Sequence, residues 1–171
     1  MTITAAISPA QAQRLEYLID AYSDAILRTC FVYLADLSLA EDAMQDTFIR
    51  AWKHIDQLEG MAHEKAWLMR IAINVCHDYH RSRWLKHIDA RRSLEELPPR
   101  YVAVLPEDHD LLLEVCELPE KYKQVLLLYY YQELTLQETA DSLHLSVSAV
   151  HKRLKKAQDM LRGRLTGRES Q

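Results

Sequence analysis

A long run of basic side chains lies near the C-terminus. Between His151 and Arg168, lysines and arginines far outnumber acids, and Asp159 is the single acid among them. Guanidinium and ammonium groups at this density bind phosphate oxygens, so the run could hold a nucleic-acid backbone. A solvated charged face on an ordinary helix is the alternative. The elements that position the run decide between these interpretations.

The residues before and within this run predict a helix-turn-helix. Thr135 and Glu138 have the spacing of a capping box at the start of a first helix, and Ser146 can cap a second. His144 falls at the turn, where histidine tolerates a left-handed backbone better than most residues do. Because such a motif places its second helix in the major groove of DNA, the sequence favours DNA binding.

A second polar face is predicted on the helix that begins near Lys65. This face could hold single-stranded nucleic acid through charged groups and an aromatic ring, and its residues are Arg70, Asn74, His77, Arg81 and Trp84. Cys76, His77 and His80 could also bind a metal, but no second ligand pair at a recognisable spacing accompanies them, so we expect no metal. The sequence has neither a nucleophile with a partnered base nor a phosphate-binding glycine loop, so we expect no enzyme and no cofactor.

Two helices are predicted in the first third of the chain. Ser8 and Gln11 indicate a capping box for the first helix, and Ser38 and Glu41 indicate one for a second helix over 39–58. The apolar stripe of the first helix is expected in the core, and it contains Leu15, Leu18, Ile19, Tyr22, Ile26 and Leu27. The second helix has a flank that could bind a protein or merely widen the core, and the flank contains Gln45, Ile49, Trp52 and Asp56.

Composition bounds the remaining possibilities. Helical periodicity and only 3 glycines in 171 residues predict an all-α fold. The formal charge is −4, and the bases exceed the acids only in residues 119–171, so help from a larger partner is expected on DNA. Neither a membrane span nor a leader is evident, which predicts a cytoplasmic protein with reduced thiols at Cys30, Cys76 and Cys116. Prolines in 91–106 predict a linker, followed by helices over 107–116 and 120–131.

Three segments carry a resemblance to a known family. Ala40-Glu-Asp-Ala-Met-Gln-Asp-Thr-Phe-Ile-Arg-Ala-Trp and the segment 66–81 resemble region 2 of bacterial RNA polymerase sigma factors, and the segment 118–156 resembles region 4. The chain is similar to the small extracytoplasmic-function (ECF) group over nearly its whole length. The resemblance implies a factor that binds core polymerase and directs promoter recognition and melting. It implies two small helical domains: a three- or four-helix bundle over 8–90 and a helix-turn-helix domain over 107–168, joined by a flexible linker over 91–106.

The resemblance also implies contacts, partner by partner. The side facing the clamp helices of the polymerase β′ subunit would contain Asp42, Gln45, Ile49, Trp52 and Asp56. The residues that capture the unpaired −10 strand would be Gly60, Met61, His63, Arg70, Asn74, His77 and Arg81. The residues that read the −35 element would be Ser148, His151, Lys152, Arg153, Lys155 and Lys156. Further expected partners are the polymerase β subunit and an anti-sigma factor, without membrane insertion.

Two other classes of protein compete with this interpretation. A free-standing helix-turn-helix regulator would use its N-terminal helices as a dimer interface, and it predicts a basic overall balance. A metal hydrolase built on histidine and cysteine ranks third.

Overall fold

The computed structural model describes residues 8–58, 63–82, 95 and 108–168. Within these ranges all regular structure is helical, which confirms the predicted fold class. An N-terminal unit (8–82) contains α1 (Pro9–Leu34), α2 (Leu37–Lys53), a 3-10 turn (Ile55–Leu58) and α3 (Glu64–Ser82). A C-terminal unit (108–168) contains α4 (His109–Cys116), α5 (Glu120–Leu126), a π-helical turn (Leu127–Tyr131), α6 (Leu136–Leu143) and α7 (Val147–Arg168).

The helix starts follow local capping chemistry. Ser8 accepts a hydrogen bond from the backbone of Gln11, and the reciprocal bond completes the predicted capping box. The box predicted at Ser38 is wrong, because the carboxylate of Asp36 accepts from Leu39 N at 2.9 Å and starts α2 at Leu37. Because the Asp36 cap lies two residues upstream, Ser38 falls inside the first turn of α2 and does not serve as the N-cap.

Three other sequence predictions need correction. Helix α2 ends at Lys53 rather than at residue 58, and the chain continues as the 3-10 turn. Helix α4 starts at His109, where the carboxylate of Asp108 caps it, and not at 107. The helix predicted over 120–131 changes to π geometry at Leu127.

The two units pack against each other through α1 and α3. Gln132, which follows the π-helical turn, is buried and donates from Nε2 to Thr29 Oγ1 at 2.8 Å and to the Ala25 carbonyl at 3.2 Å. Ser142 of α6 donates to the Ala66 carbonyl of α3 at 3.3 Å. Besides these hydrogen bonds, the buried apolar residues of both units form one continuous hydrophobic cluster.

Several sequence predictions fall outside the described residues. They concern Gly60, Met61, Trp84 and most of the 91–106 segment. In the part that is described, no helix has the length and apolarity needed to cross a membrane. The same part contains no group of three or more histidine, cysteine or acidic residues arranged to hold a metal ion.

Candidate functional site

The helix-turn-helix is built by local hydrogen bonds. The Thr135 backbone N donates to Glu138 Oε2 at 2.8 Å, and Glu138 N donates to Thr135 Oγ1 at 3.2 Å. These bonds hold the pKa of Glu138 below its usual value. His144 adopts the predicted left-handed conformation with φ 53°, and Ser146 Oγ accepts from Ala149 N at 3.1 Å to start α7. Both predicted caps and the turn are therefore confirmed.

Helix α7 presents a polar face to solvent. Val150, Leu154 and Ala157 bury the opposite side against the C-terminal unit. The exposed members of the predicted −35 set are Ser148, His151, Lys152, Lys155 and Lys156. Arg153 differs from them, because it is half-buried. Since adjacent residues of a helix project about 100° apart, Arg153 points to the flank of α7 while Lys152 lies on the exposed face.

A straight polar row runs along α3. Arg70, Asn74, His77 and Arg81 are spaced by four, three and four residues, so they align along one side of the helix. We call this row the α3 stripe. Asn74 and Arg81 are exposed, whereas Arg70 and His77 are half-buried. The structure therefore brings together four of the residues assigned to the −10 strand, and it places His63 just before the first residue of α3.

Acidic residues of the C-terminal unit lie close to the α3 stripe and to His63. His77 Nε2 is 2.8 Å from Glu120 Oε1 at the start of α5, and His63 Nδ1 is 2.8 Å from Glu138 Oε1 on α6. Arg70 lines a cavity of about 170 Å³ together with Trp67, Glu138 and Asp141. Sequence reasoning missed these contacts, because the residues are far apart in the chain and no local pattern connects them.

An apolar groove separates α1 from α2. It has a volume of about 410 Å³, and it is lined by Leu15, Ile19, Ser23, Met44, Gln45, Phe48, Ile49 and Trp52. Ile49 is 47% exposed and Trp52 38%, so the flank of α2 is a surface and not an extension of the core. Ile19, predicted to be in the core, is 38% exposed at the same groove.

The acids predicted beside this groove divide between two places. Asp42 is exposed on α2, three residues before Gln45 and seven before Ile49, and therefore shares their side of the helix. Asp56 lies on the 3-10 turn beyond the end of α2, where its Oδ1 accepts from Gln11 Nε2 at 2.8 Å. It therefore belongs with the start of α1 and not with Trp52.

Burial changes the pKa values of Cys76, Cys116 and Lys123 in the direction that disfavours their ions. Burial raises the pKa of Cys116 to about 11, and contact with Cys30 together with burial raises the pKa of Cys76 well above its usual value. Burial also lowers the pKa of Lys123. Thiols with raised pKa values are poor nucleophiles and poor metal ligands, so these cysteines serve packing.

Two family models match the chain. Sigma-70 region 2 matches residues 18–86, and Sigma-70, region 4 matches residues 109–159. The ECF RNA polymerase sigma factor SigW of Bacillus subtilis (strain 168) is 33% identical over 162 residues, which cover 86% of this chain and 87% of SigW. The ECF RNA polymerase sigma factor SigM of the same organism is 29% identical over 136 residues, covering 77% of this chain and 83% of SigM.

Solved structures share the fold. The sigma factor RpoE from Bartonella quintana, in complex with the anti-sigma factor NepR, superposes with a TM-score of 0.72 at 18% identity, covering 90% of this chain and 98% of RpoE. CnrH in complex with the cytosolic domain of CnrY gives a TM-score of 0.68 at 23% identity, covering 91% of this chain and 90% of CnrH.

The two matched regions, in this order on one helical chain, define a sigma-70-type factor, which directs transcription initiation by RNA polymerase at promoters. The chain belongs to the ECF RNA polymerase sigma factors. A free-standing dimeric regulator is accordingly not favoured, because neither region 2 nor its coupling to region 4 belongs to that class.

Proposed function

We propose that three surfaces of this sigma factor divide the work of initiation. Residues 8–90 bind core polymerase and the melted −10 element, residues 91–106 link the units, and residues 107–168 read the −35 element. The observation that supports this division most directly is the exposed face of α7 held by the helix-turn-helix. Strand separation needs no catalytic residue, since capture of unstacked bases offsets an unstacking cost of a few kcal/mol per step. The factor works in the cytoplasm, with RNA polymerase.

The polymerase surface is the groove between α1 and α2. Exposed Ile49 and Trp52 stand at the edge of an apolar cavity, and aromatic residues at such positions dominate protein interfaces. Asp42 and Gln45 add polar contacts on the same side of α2. The clamp helices of the β′ subunit are the proposed partner here. Asp56 is a weaker member of the set, since it already bonds Gln11.

The two DNA surfaces differ in their chemistry. The α3 stripe combines two arginines with an amide and an imidazole, which suits phosphates and splayed bases of a single strand. Gly60, Met61 and His63 complete the proposed −10 set. Helix α7 offers Ser148 and His151 near its start for base edges, followed by lysines for phosphates. Arg153 is the least accessible residue of the proposed −35 set, because its side chain is half-buried.

An anti-sigma factor is the proposed regulatory partner. RpoE and CnrH, which share this fold, were solved in complexes with NepR and with the cytosolic domain of CnrY. The apolar groove beside Trp52 gives such a protein a surface on which it would compete with polymerase.

Run-off transcription with bacterial core polymerase tests the division of surfaces. Trp52→Ala should weaken binding to core polymerase by at least about tenfold, because it removes a central interface aromatic. Lys152→Ala/Lys155→Ala should reduce transcription from a −35-dependent promoter while core binding stays intact. Tyr17→Ala is the matched control, because this exposed tyrosine of α1 lies outside the groove. Equal loss of core binding and promoter recognition in both test variants would contradict the assignment.

A further inference from the structure

Helix α1 contacts the chain on both sides of residues 59–62, which contain two members of the proposed −10 set. Before this segment, Asp56 Oδ1 accepts a hydrogen bond from Gln11 Nε2 at 2.8 Å. After it, Glu64 begins α3 and forms an ion pair with Arg14. One helix therefore fixes the chain at a point before and at a point after the residues proposed to capture bases.

Glu64 is the more firmly held of the two acids. Its Oε2 accepts a hydrogen bond from the Arg14 guanidinium, and its Oε1 accepts from the hydroxyls of Tyr22 at 2.9 Å and Tyr17 at 3.0 Å. The Glu64 side chain is only 18% exposed. We call these four residues the Glu64 network. Three donors on one carboxylate form a cooperative network, whereas the contact before residue 59 is a single exposed hydrogen bond that contributes little.

The two tyrosines contribute unequally to the Glu64 network. Tyr22 is half-buried, and burial together with the bond to Glu64 raises the pKa of Tyr22 above its usual value, so its hydroxyl stays a donor. Tyr17 is 48% exposed, so water readily replaces its bond. Arg14 and Tyr22 are therefore the donors that hold Glu64 in place.

The helix dipole gives a simpler reason for an acid at the start of α3. A carboxylate in the first turn is favoured there without any partner, because the N-terminal end of a helix is electropositive. That effect leaves the side chain free to extend into water. Glu64 instead contacts donors that lie 42 to 50 positions away in the sequence. The dipole therefore explains the residue type but not the network.

The position of His63 follows from that of Glu64. The His63 carbonyl accepts a hydrogen bond from Trp67 N at 3.1 Å, which places His63 against the first turn of α3. Its side chain is exposed. A contact that fixes the first residue of α3 therefore also fixes His63, which belongs to the proposed −10 set.

We propose that α1 positions the residues that capture the −10 strand. Arg14 and Tyr22 act through Glu64, and Gln11 acts through Asp56, so all five are positioning residues that work without touching DNA. A segment whose two ends are fixed has fewer conformations to lose when it closes on an unstacked base, so capture has a smaller entropy cost. The inference rests on the proposed −10 role of the N-terminal unit.

Promoter opening on two templates tests the proposal. The promoter is one that depends on this factor in run-off transcription of genomic fragments, and the second template has a mismatched bubble over its −10 element. With core polymerase, Glu64→Ala should reduce the permanganate reactivity of −10 thymines and the transcript yield on the duplex by about tenfold, but the yield on the bubble by less than about twofold. The bubble is less sensitive because its strands are already separated.

A second variant breaks the same contact from the other side. Arg14→Gln/Tyr22→Phe leaves Glu64 and the tyrosine ring in place and should give the same selective loss on the duplex. Because both variants remove one network, their combination should lower opening by less than about a further twofold.

Arg50→Gln is the matched control. Arg50 pairs with Asp78 at 2.8 Å and ties α2 to α3, and its side chain is 43% exposed, against 42% for Arg14. This variant should keep opening of the duplex within about twofold of the unmodified factor. All variants should retain binding to core polymerase. Equal losses on duplex and bubble would mean that the network only maintains the fold. That outcome, or normal opening of the duplex by both test variants, would overturn the proposal.

Cross-linking separates this proposal from the proposed function. In the promoter complex of the unmodified factor with core polymerase, a photoreactive −10 strand should cross-link to His63 or to the α3 stripe. If the cross-link forms and the test variants open the duplex normally, the positioning proposal alone fails. If no cross-link forms with the unmodified factor, the assigned −10 role of the N-terminal unit fails.

Discussion

Lys152 and Arg153 are neighbours in sequence but lie in different surroundings. Lys152 is on the exposed face of α7 with Ser148 and Lys155, whereas Arg153 is half-buried on the flank. For the proposed −35 contact, position on the helix, rather than charge, should therefore decide which of them reaches a duplex. Removal of a residue that reads a base costs about 1–3 kcal/mol of binding free energy. Loss of a phosphate contact reduces, by about one, the steepness with which the logarithm of the binding constant falls with the logarithm of the salt concentration.

Lys152→Ala should weaken binding to promoter duplex by about 1 kcal/mol or more, while Arg153→Ala should change it by less than about 0.5 kcal/mol. Fluorescence anisotropy with −35 duplex bound by the polymerase complex measures both, at several salt concentrations. A larger loss for Arg153→Ala than for Lys152→Ala would mean that α7 approaches DNA by its flank.

The turn between α6 and α7 stores a small strain. His144 has φ 53° and ψ 44°, a conformation that costs a side chain with Cβ roughly 1–2 kcal/mol. His144→Gly should therefore raise the free energy of unfolding by about 0.5–1 kcal/mol after the greater freedom of glycine in the unfolded chain is subtracted. Urea denaturation should show a higher midpoint with an unchanged slope. His144→Ala is the control, and a gain of equal size there would refute strain as the cause.

The same elements show what sequence reasoning can reach. The caps at Ser8, Thr135 and Ser146 depend on side chains within three residues of the backbone they bond, so their patterns predict them correctly. The cap at Ser38 was wrongly predicted because Asp36 competes for the same helix start. The π-helical turn at Leu127–Tyr131 has no periodic signature in the sequence, and Gln132, which follows it, contacts α1 through tertiary packing.

The candidate site was predictable to the same degree. The α3 stripe and the exposed flank of α2 follow from helical periodicity, and the structure places their residues as the spacing indicates, except for Asp56, which lies on the 3-10 turn after α2 has ended. The contacts of Glu120 and Glu138 with the N-terminal unit join residues separated by 43 or more positions, so they depend on tertiary packing alone. Sequence patterns therefore predicted the surfaces but not the fact that one unit covers another.

The molecule as a whole should unfold as one cooperative body, because the two units share a hydrophobic cluster and Gln132 bridges them. Gln132→Ala removes hydrogen bonds to Thr29 and Ala25 from a buried site, and this loss should weaken docking by about 1–3 kcal/mol. Each unit also buries apolar residues among its own helices, so the variant should separate without unfolding. Differential scanning calorimetry should then change from one transition to two, and scattering should give a larger radius of gyration.

Gln13→Ala, at an exposed position of α1, should leave the single transition intact. If Gln132→Ala instead lowered the midpoint temperature of a single transition, the Gln132 contact would stabilise one cooperative fold. The two units would then not separate at this contact.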